Sequence, residues 1–306
     1  MSDLLDDIGH CEPEERSPCS AIRTILHPKD KDVGGFTVRR LLPNETVKSV
    51  GPFVFFDHLG PAQFLPGEGI DVRPHPHIGL STVTYLFAGE ILHRDSLGHV
   101  QPIRPGEINW MTAGRGIVHS ERTPPDIRLA SHVVHALQLW VALPEKQEKT
   151  APAFFHYEAK QIPEMEQEGR FIRVMLGEAC GAVSPVKTYS PTLYLDVCLR
   201  KGAEFILPDN TEELGVYLVS GTVQTRDTLI THHCLAVFDP VPGIKLTANE
   251  DSRLAIIGGR SLGKRTVWWN LVATRRELIE KAKANWRAGL FPKIPGETEF
   301  IPLPGD

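Results

Sequence analysis

The sequence predicts an all-β protein of two β-barrel domains followed by a short C-terminal helix. Short β-rich runs alternate with clusters of Asp, Asn, Pro and Gly from residue 22 onward, which is typical of a sandwich or barrel. A polar segment bracketed by prolines divides the chain near its middle. Helical periodicity occurs near the C-terminus. With 306 residues and 41% hydrophobic content, the chain is long enough for two packed cores.

The first predicted element is an acidic tail over residues 1–20. Six carboxylate residues stand against the single Arg16 in residues 1–16, and this accounts for the whole net charge of −5. The rest of the chain is neutral and lacks the excess of Lys and Arg that phosphate neutralisation requires. We therefore expect no direct nucleic-acid partner.

Cysteine usage and the N-terminus predict the compartment. The five cysteines are scattered without a C-x-x-C pair, which indicates reduced thiols. The start of the chain has neither the basic region nor the apolar stretch of a signal peptide, and no run of 18 apolar residues occurs. The expectation is a soluble, cytoplasmic protein with no membrane partner.

A linker is predicted at residues 146–152, where the chain is polar and charged between Pro144 and Pro152. This composition is typical of a connection between compact units. The first barrel is therefore expected over residues 21–145 and the second over residues 153–270.

A faint internal repeat agrees with two similar barrels. Tyr85-Leu-Phe-Ala-Gly89 is echoed by Tyr217-Leu-Val-Ser-Gly221, and each block is followed by a loop and further apolar strands. Self-similarity of this kind indicates a duplicated domain.

Residues 271–306 are expected to form a helix and an extended tail. Thr274 and Glu277 have the spacing of a capping box. The apolar residues then recur at helical intervals as far as Trp286, before Gly289. A helix this short needs tertiary contacts, so its apolar stripe should pack on a barrel.

Two pairs of polar residues predict a metal site in the first barrel. His75 and His77 flank Pro76, and in an extended chain both imidazoles leave the same face. Further along, His119 and Glu121 have the same spacing, so an imidazole and a carboxylate again share one face of an extended chain. Three imidazoles and one carboxylate suit a divalent first-row metal, iron above all, and leave coordination positions open.

Other polar pairs leave alternatives open. His93 and Asp95 also share a face, and either orient a metal ligand or form an ordinary cross-strand pair. The adjacent His232 and His233 would point to opposite faces of a strand, which disfavours a joint ligand role.

Residues near the predicted site are expected to be mainly structural. His58 follows Asp57 in what we interpret as a turn, where it either lines the pocket or supports the turn. Phe53, Phe55 and Met111 belong either to the barrel core, which is the expectation for each, or to the wall of a substrate pocket.

In the segments that carry the pairs His75/His77 and His119/Glu121, the sequence resembles the pirin family of the cupin superfamily. The resemblance is strong from Gly51 to Leu143 and looser through Trp268-Trp-Asn270 and the C-terminal helix. It implies that both barrels are jelly-roll cupin domains and that the second binds no metal. It also implies that one iron ion per chain is bound by the residues that match the family's ligands, which are His75, His77, His119 and Glu121.

The resemblance implies two functions. One is a quercetin 2,3-dioxygenase activity, in which Glu121 accepts the hydroxyl proton of a flavonol and O2 attacks the activated ring. The other is an iron-dependent, redox-sensing co-regulator of transcription that acts through a protein partner without catalysis. The oxygenase is favoured because the ligand set leaves coordination positions open. A substrate-sized cavity at the metal would favour the enzyme, and a sealed metal would favour regulation.

Overall fold

The structure is a computed structural model that describes residues 21–33 and 35–305. The predicted acidic tail, residues 1–20, lies outside the described residues. Among the helices that are described, none is long and apolar enough to cross a membrane.

In the part of the chain that the structure describes, twelve strands precede residue 158: β1 (Ile22–Leu26), β2 (Lys29–Asp32), β3 (Thr37–Leu42), β4 (Phe53–Phe64), β5 (Asp71–His77), β6 (Leu80–Ala88), β7 (Ile91–Asp95), β8 (Val100–Ile103), β9 (Ile108–Thr112), β10 (Ile117–Arg122), β11 (His132–Ala142) and β12 (Ala153–Tyr157). Fourteen follow: β13 (Glu164–Gln167), β14 (Arg170–Leu176), β15 (Glu178–Ala179), β16 (Ala182–Val183), β17 (Thr192–Leu199), β18 (Glu204–Ile206), β19 (Glu213–Ser220), β20 (Thr222–Thr225), β21 (Thr228–Thr231), β22 (Leu235–Phe238), β23 (Lys245–Ala248), β24 (Ser252–Gly259), β25 (Thr266–Trp268) and β26 (Leu271–Ala273). The helices among the described residues are α1 (Arg276–Arg287) and three single 3-10 turns at Ile127–Leu129, Glu145–Gln147 and Ala159–Gln161.

The two barrels repeat one strand order. The first has a seven-stranded sheet, β12-β9-β6-β11-β4-β3-β2, and a four-stranded sheet, β5-β10-β7-β8. The second has the sheets β1-β22-β19-β24-β17-β14-β13 and β18-β23-β20-β21. Strand for strand the orders correspond, with β6 and β19 carrying the two halves of the sequence repeat. The predicted fold class, two β-barrels and a C-terminal helix, is confirmed.

Each large sheet takes an edge strand from beyond its own predicted range. β1 pairs antiparallel with β22 of the second barrel, and β12 pairs with β9 of the first. Covering an edge strand removes a row of unpaired backbone groups, which explains why each barrel borrows a strand. The strands are therefore not divided between the two barrels at the predicted linker. The predicted domain ranges stay predictions.

One continuous core joins the barrels. Phe53 and Phe56 of the first pack in the same buried cluster as Tyr194 and Ile257 of the second. Such a cluster is what a large apolar interface between domains requires.

The two tyrosines of the sequence repeat each contact the opposite barrel through their hydroxyl groups. The Tyr85 hydroxyl donates to Asp196 Oδ2 at 2.6 Å, and the Tyr217 hydroxyl lies 2.6 Å from His58 Nδ1. Each repeat tyrosine thus satisfies its buried hydroxyl on the opposite barrel.

The predicted helix is present and packs as expected. Ile279 and Ala282 are buried against Leu271 and Ala273 of the preceding hairpin and against Ile78 of the first barrel. The apolar stripe of α1 therefore lies on protein and is not exposed to solvent.

The predicted capping box is wrong. Arg275 is the N-cap and makes no capping hydrogen bond through its side chain. Thr274 instead donates its amide and its hydroxyl to Glu148, at 2.7 and 2.8 Å. The buried Glu148 carboxylate needs donors, and this long-range demand outweighs the local capping spacing.

Candidate metal centre

Two paired strands bring the predicted histidines together. β5 carries His75 and His77, and β10 carries His119 directly opposite His75. Pro76 favours the extended backbone that turns both β5 imidazoles to one face. All three imidazoles are buried.

The three imidazoles converge through their Nε2 atoms. His77 Nε2 lies 3.1 Å from His75 Nε2 and 3.1 Å from His119 Nε2. His75 Nδ1–H donates to the Arg73 carbonyl and His77 Nδ1–H donates to the Asn270 carbonyl, each at 2.9 Å. These bonds leave the Nε2 lone pairs of both rings directed at the cluster.

This donor set fits a metal ion. Unprotonated nitrogens that face one another in a buried site repel, and a cation between them converts the repulsion into coordination. Adjacent ligands of an octahedral ion with bonds of about 2.1 Å are about 3.0 Å apart, close to the spacing seen here. Imidazole nitrogen suits iron, nickel, copper and zinc, so the buried His75, His77 and His119 suggest a metal without selecting one.

Glu121 lies beside this cluster and not in it. Its carboxylate groups with His93 and His119, whose ligand atoms all lie within 4.8 Å of one another. The pairing register between β5 and β10 shifts after His119, so that Glu121 lies opposite Val72. The extra residue of this bulge lies on β5, whereas β10 stays in regular register with β7 from His119 to Arg122, so Glu121 keeps the face of His119 but lies further along the strand. The structure thus brings three of the four predicted ligands to one point, and the coordination of a metal by Glu121 stays a prediction.

A hydrogen-bonded chain supports His119 from behind. Its Nδ1 lies 3.4 Å from His93 Nδ1, and His93 Nε2–H donates to Asp95 Oδ2 at 3.1 Å. Asp95 Oδ1 in turn accepts the backbone N–H groups of Leu97 and His99. In this arrangement His93 Nδ1 can accept the proton on His119 Nδ1, which leaves His119 Nε2 free for a metal. His93 and Asp95 therefore form a pair that orients a candidate ligand.

Burial sets the protonation of the site. It lowers the pKa of His75 to about 4 and holds the pKa values of His77 and His119 well below the ordinary 6.5. Burial raises the pKa of Glu121, although the hydrogen bond from Thr84 opposes it. At neutral pH the imidazoles are thus already in the form that binds a metal.

A cavity of about 510 Å³ opens onto the histidines. Phe55 stacks on Trp140 with ring centroids 3.8 Å apart, and Trp140 meets His77 edge to face at 5.1 Å. The sequence favours the core over the substrate wall for Phe55, and the structure places it in both, because it packs in a buried cluster and also forms part of this wall. Arg40 donates two hydrogen bonds to Asp57 at 2.8 and 2.7 Å and completes a polar corner of the cavity.

The C-terminal part of the chain contributes residues that the sequence analysis missed. Trp269, Asn270 and Ile301 line the cavity although they follow the second barrel. The Asn270 carbonyl fixes the tautomer of His77, yet a backbone carbonyl carries no residue-type signal. Only the tertiary arrangement could reveal this contribution.

Two expectations about histidines outside the cluster are wrong. His58 lies within β4, in contact with Tyr217 and away from the metal cavity, and not in a turn. His232 and His233 lie in the turn between β21 and β22 and not on a strand, with His233 at φ 64°. The His233 ring faces His58 across the barrel interface, at a centroid distance of 5.3 Å.

Comparisons with known proteins match both barrels. The family description Pirin matches residues 35–141, and the description Pirin C-terminal cupin domain matches residues 194–292. A pirin-like protein of Caulobacter vibrioides is 44% identical to this chain, over 92% of this chain and 99% of its own length. Pirin of Mus musculus is 32% identical, over 86% of this chain and 91% of its own length.

A solved structure agrees in both sequence and fold. The crystal structure described as quercetin 2,3-dioxygenase from Acinetobacter baumannii superposes with a TM-score of 0.85 at 32% identity. The match covers 92% of this chain and 94% of that one. With both barrels matched and a buried three-histidine cluster in the first, the chain belongs to the pirin family of two-cupin proteins.

Proposed function

We propose that this protein is a quercetin 2,3-dioxygenase that cleaves flavonols with O2 at one iron ion, held by His75, His77, His119 and Glu121. The observation that carries the proposal is the cavity of about 510 Å³ at the histidine cluster. Its size lies within the range of about 300–1,000 Å³ typical of small-molecule sites. A regulatory metal sealed by packed side chains would lack such a space.

The cavity walls suit a flat aromatic substrate. Phe55 and Trp140 offer a stacked apolar face beside His77. The Arg40–Asp57 pair lines the same cavity and adds polar atoms for substrate hydroxyls. A polyphenol with an apolar ring system and polar edges has the matching chemistry.

Glu121 is the proposed proton acceptor. Its Oε1 lies 2.8 Å from the Thr84 hydroxyl, which leaves Oε2 available for the 3-hydroxyl of the flavonol. Burial raises the pKa of this carboxyl, so its carboxylate is a stronger base than an exposed one. The bound metal would act as a Lewis acid toward the substrate oxygens and would mediate the reaction with O2.

The direct test is loading with Fe(II) followed by anaerobic titration with quercetin. Binding at the metal is expected to shift the flavonol absorption band. Admission of O2 is then expected to consume O2, release carbon monoxide and yield a depside. Metal-free protein is the matched control, and it should give neither the shift at the same affinity nor the turnover.

The Glu121→Ala and His77→Ala variants test the assigned roles. We expect Glu121→Ala to weaken metal binding less than His77→Ala does, while it abolishes turnover, because Glu121 is the carboxylate beside the histidine cluster and Asp57 of the same cavity is paired with Arg40. Metal content and O2 consumption of the two proteins check this. Equal metal loss in both variants, or full turnover by Glu121→Ala, would contradict the assignment.

The relative described as a dioxygenase supports the substrate class at 32% identity. A protein that binds iron but neither binds quercetin nor consumes O2 would instead favour the co-regulator function, with a regulatory protein as the partner.

A further inference from the structure

The C-terminal tail, residues 288–305, crosses the outer face of the strands that carry the candidate ligands. The backbone N–H of Ile301 donates to the Pro74 carbonyl at 2.8 Å, next to His75. The Trp286 Nε1–H donates to the Ile301 carbonyl at 3.0 Å and ties the tail to α1. The tail is thus attached both to β5 and to the C-terminal helix.

Glu297 connects this tail to β10. Its Oε1 accepts the Ser120 hydroxyl at 2.7 Å, and its Oε2 accepts a guanidinium N–H of Arg122 at 2.9 Å. Ser120 lies between His119 and Glu121 in the chain, and Arg122 follows Glu121. Because alternate side chains leave opposite faces of a strand, the tail holds β10 by one face while the candidate ligands occupy the other.

We propose that Glu297 is a positioning residue for the metal centre. It fixes Ser120 and Arg122, and through them it fixes the backbone that sets the directions of His119 and Glu121. The inference rests on the metal site of the proposed function. It assigns to the C-terminal tail a role in metal affinity, although Glu297 belongs neither to the ligand motif nor to the lining of the cavity.

Burial distinguishes Glu297 from its neighbour Glu299. The Glu297 side chain is 10% exposed, whereas that of Glu299 is 57% exposed. Glu299 accepts a hydrogen bond from Arg122 at 2.7 Å but has no bond to Ser120. Exposed ion pairs contribute little, whereas a largely buried carboxylate that accepts from a hydroxyl and a guanidinium fixes the geometry of both donors.

The contrast provides a matched pair of variants in the full-length chain. Glu297→Gln keeps the size of the side chain and removes its charge, and Glu299→Gln makes the same change on the exposed partner. Nickel(II) affinity is measured by competition with a chelator. Cobalt(II) absorption reports the coordination geometry, and melting of the metal-free proteins reports stability.

We expect Glu297→Gln to weaken nickel binding about tenfold, the lower end of the effect of outer partners on metal sites, and to change the cobalt spectrum. Glu299→Gln should stay within about twofold of the parent. If Glu297 acts through Ser120, the Ser120→Ala and Glu297→Gln changes should be non-additive in a double-mutant cycle.

The outcomes separate this inference from the proposed function. A parent protein that binds no metal would overturn both. If the parent binds metal while Glu297→Gln leaves both the affinity and the cobalt spectrum unchanged, the inference fails and the proposed function stands. A fall in melting temperature without a change in affinity or spectrum would also refute it, because that result describes a purely structural contact.

Discussion

The two barrels share their strand order but differ in what fills the corresponding cross-strand positions. In the first, His75 of β5 pairs opposite His119 of β10. In the second, the register of β23 with β20 puts Ile244 at the level of His119, and Leu207, whose backbone N–H donates to the Ile244 carbonyl at 2.8 Å, lies opposite it. Buried apolar residues of the second barrel cluster at this location: Phe205, Leu207, Val223, Ile244, Leu246 and Ala248.

This difference shows how one fold hosts a site or a packed core. The prediction that side chains fill the second barrel is confirmed by its continuous apolar cluster. In the first barrel, burial of imidazoles requires hydrogen-bond partners, which the Arg73 and Asn270 carbonyls and the His93–Asp95 pair supply. The fold positions the strands, whereas the side chains decide the chemistry.

The largest expected effect is loss of metal from one barrel only. The parent should bind about one metal per chain, because within the described residues the groups of three or more possible ligand side chains all lie in the first barrel. His77→Ala should reduce this to near zero, whereas His232→Ala combined with His233→Ala should leave it unchanged. Elemental analysis checks both proteins. Two equivalents in the parent, with one lost in the double variant, would overturn the comparison.

The second barrel should respond to core truncation in stability and not in metal content. Leu246→Ala is expected to lower the free energy of unfolding by about 2–5 kcal/mol, because the cavity removes buried contacts. Leu229→Ala, at a half-exposed position, should change it by less than about 0.5 kcal/mol. Denaturant melts and metal analysis measure the two quantities. Metal loss in folded Leu246→Ala would show that the second barrel takes part in binding.

Asp95 should matter to the first barrel through its orientation of His93. Asp95→Asn is expected to weaken metal binding about 10- to 100-fold, because the chain that fixes the His119 tautomer is interrupted. The control is Asp251→Asn, which changes an exposed aspartate that accepts the Lys201 backbone N–H in the second barrel. Chelator competition compares them, and equal affinities would refute the orienting role.

The smallest expected effect concerns the histidines between the barrels. Burial lowers the pKa of His58 to about 2 and that of His135 to about 4. In the unfolded chain these histidines have the ordinary pKa of 6.5 and take up protons below that pH, whereas in the folded protein they stay neutral. Stability therefore falls as the pH drops below 6.5. The contribution of His135 to this fall continues down to its folded-state pKa of about 4.

His135→Gln should therefore make the fall in Tm between pH 7 and pH 5 shallower by a few degrees in the metal-free protein. The variant also loses the 2.6 Å contact between His135 and His58, which lowers Tm by a constant amount at every pH. The change of Tm with pH is therefore the quantity to compare. Saturating metal should leave the difference in slope unchanged, because these residues lie outside the metal cavity. Parallel curves for parent and variant would contradict the prediction.

The sequence by itself determined the local rules of the fold and of the metal site. Turn clusters and short β-rich runs predict the strands, and the period-two histidine pairs predict which imidazoles share a face. These signals depend on neighbouring residues in the chain, which is why the sequence alone identifies His75, His77 and His119.

Only the tertiary structure decided what crosses between distant segments. The exchange of β1 and β12, the Asn270 carbonyl on His77 and the Glu297 contacts with β10 join residues far apart in the chain. Thr274 has a capping spacing, yet it bonds to the buried Glu148. The physical reason is the same in each case, because buried polar groups and exposed strand edges take partners wherever packing places them.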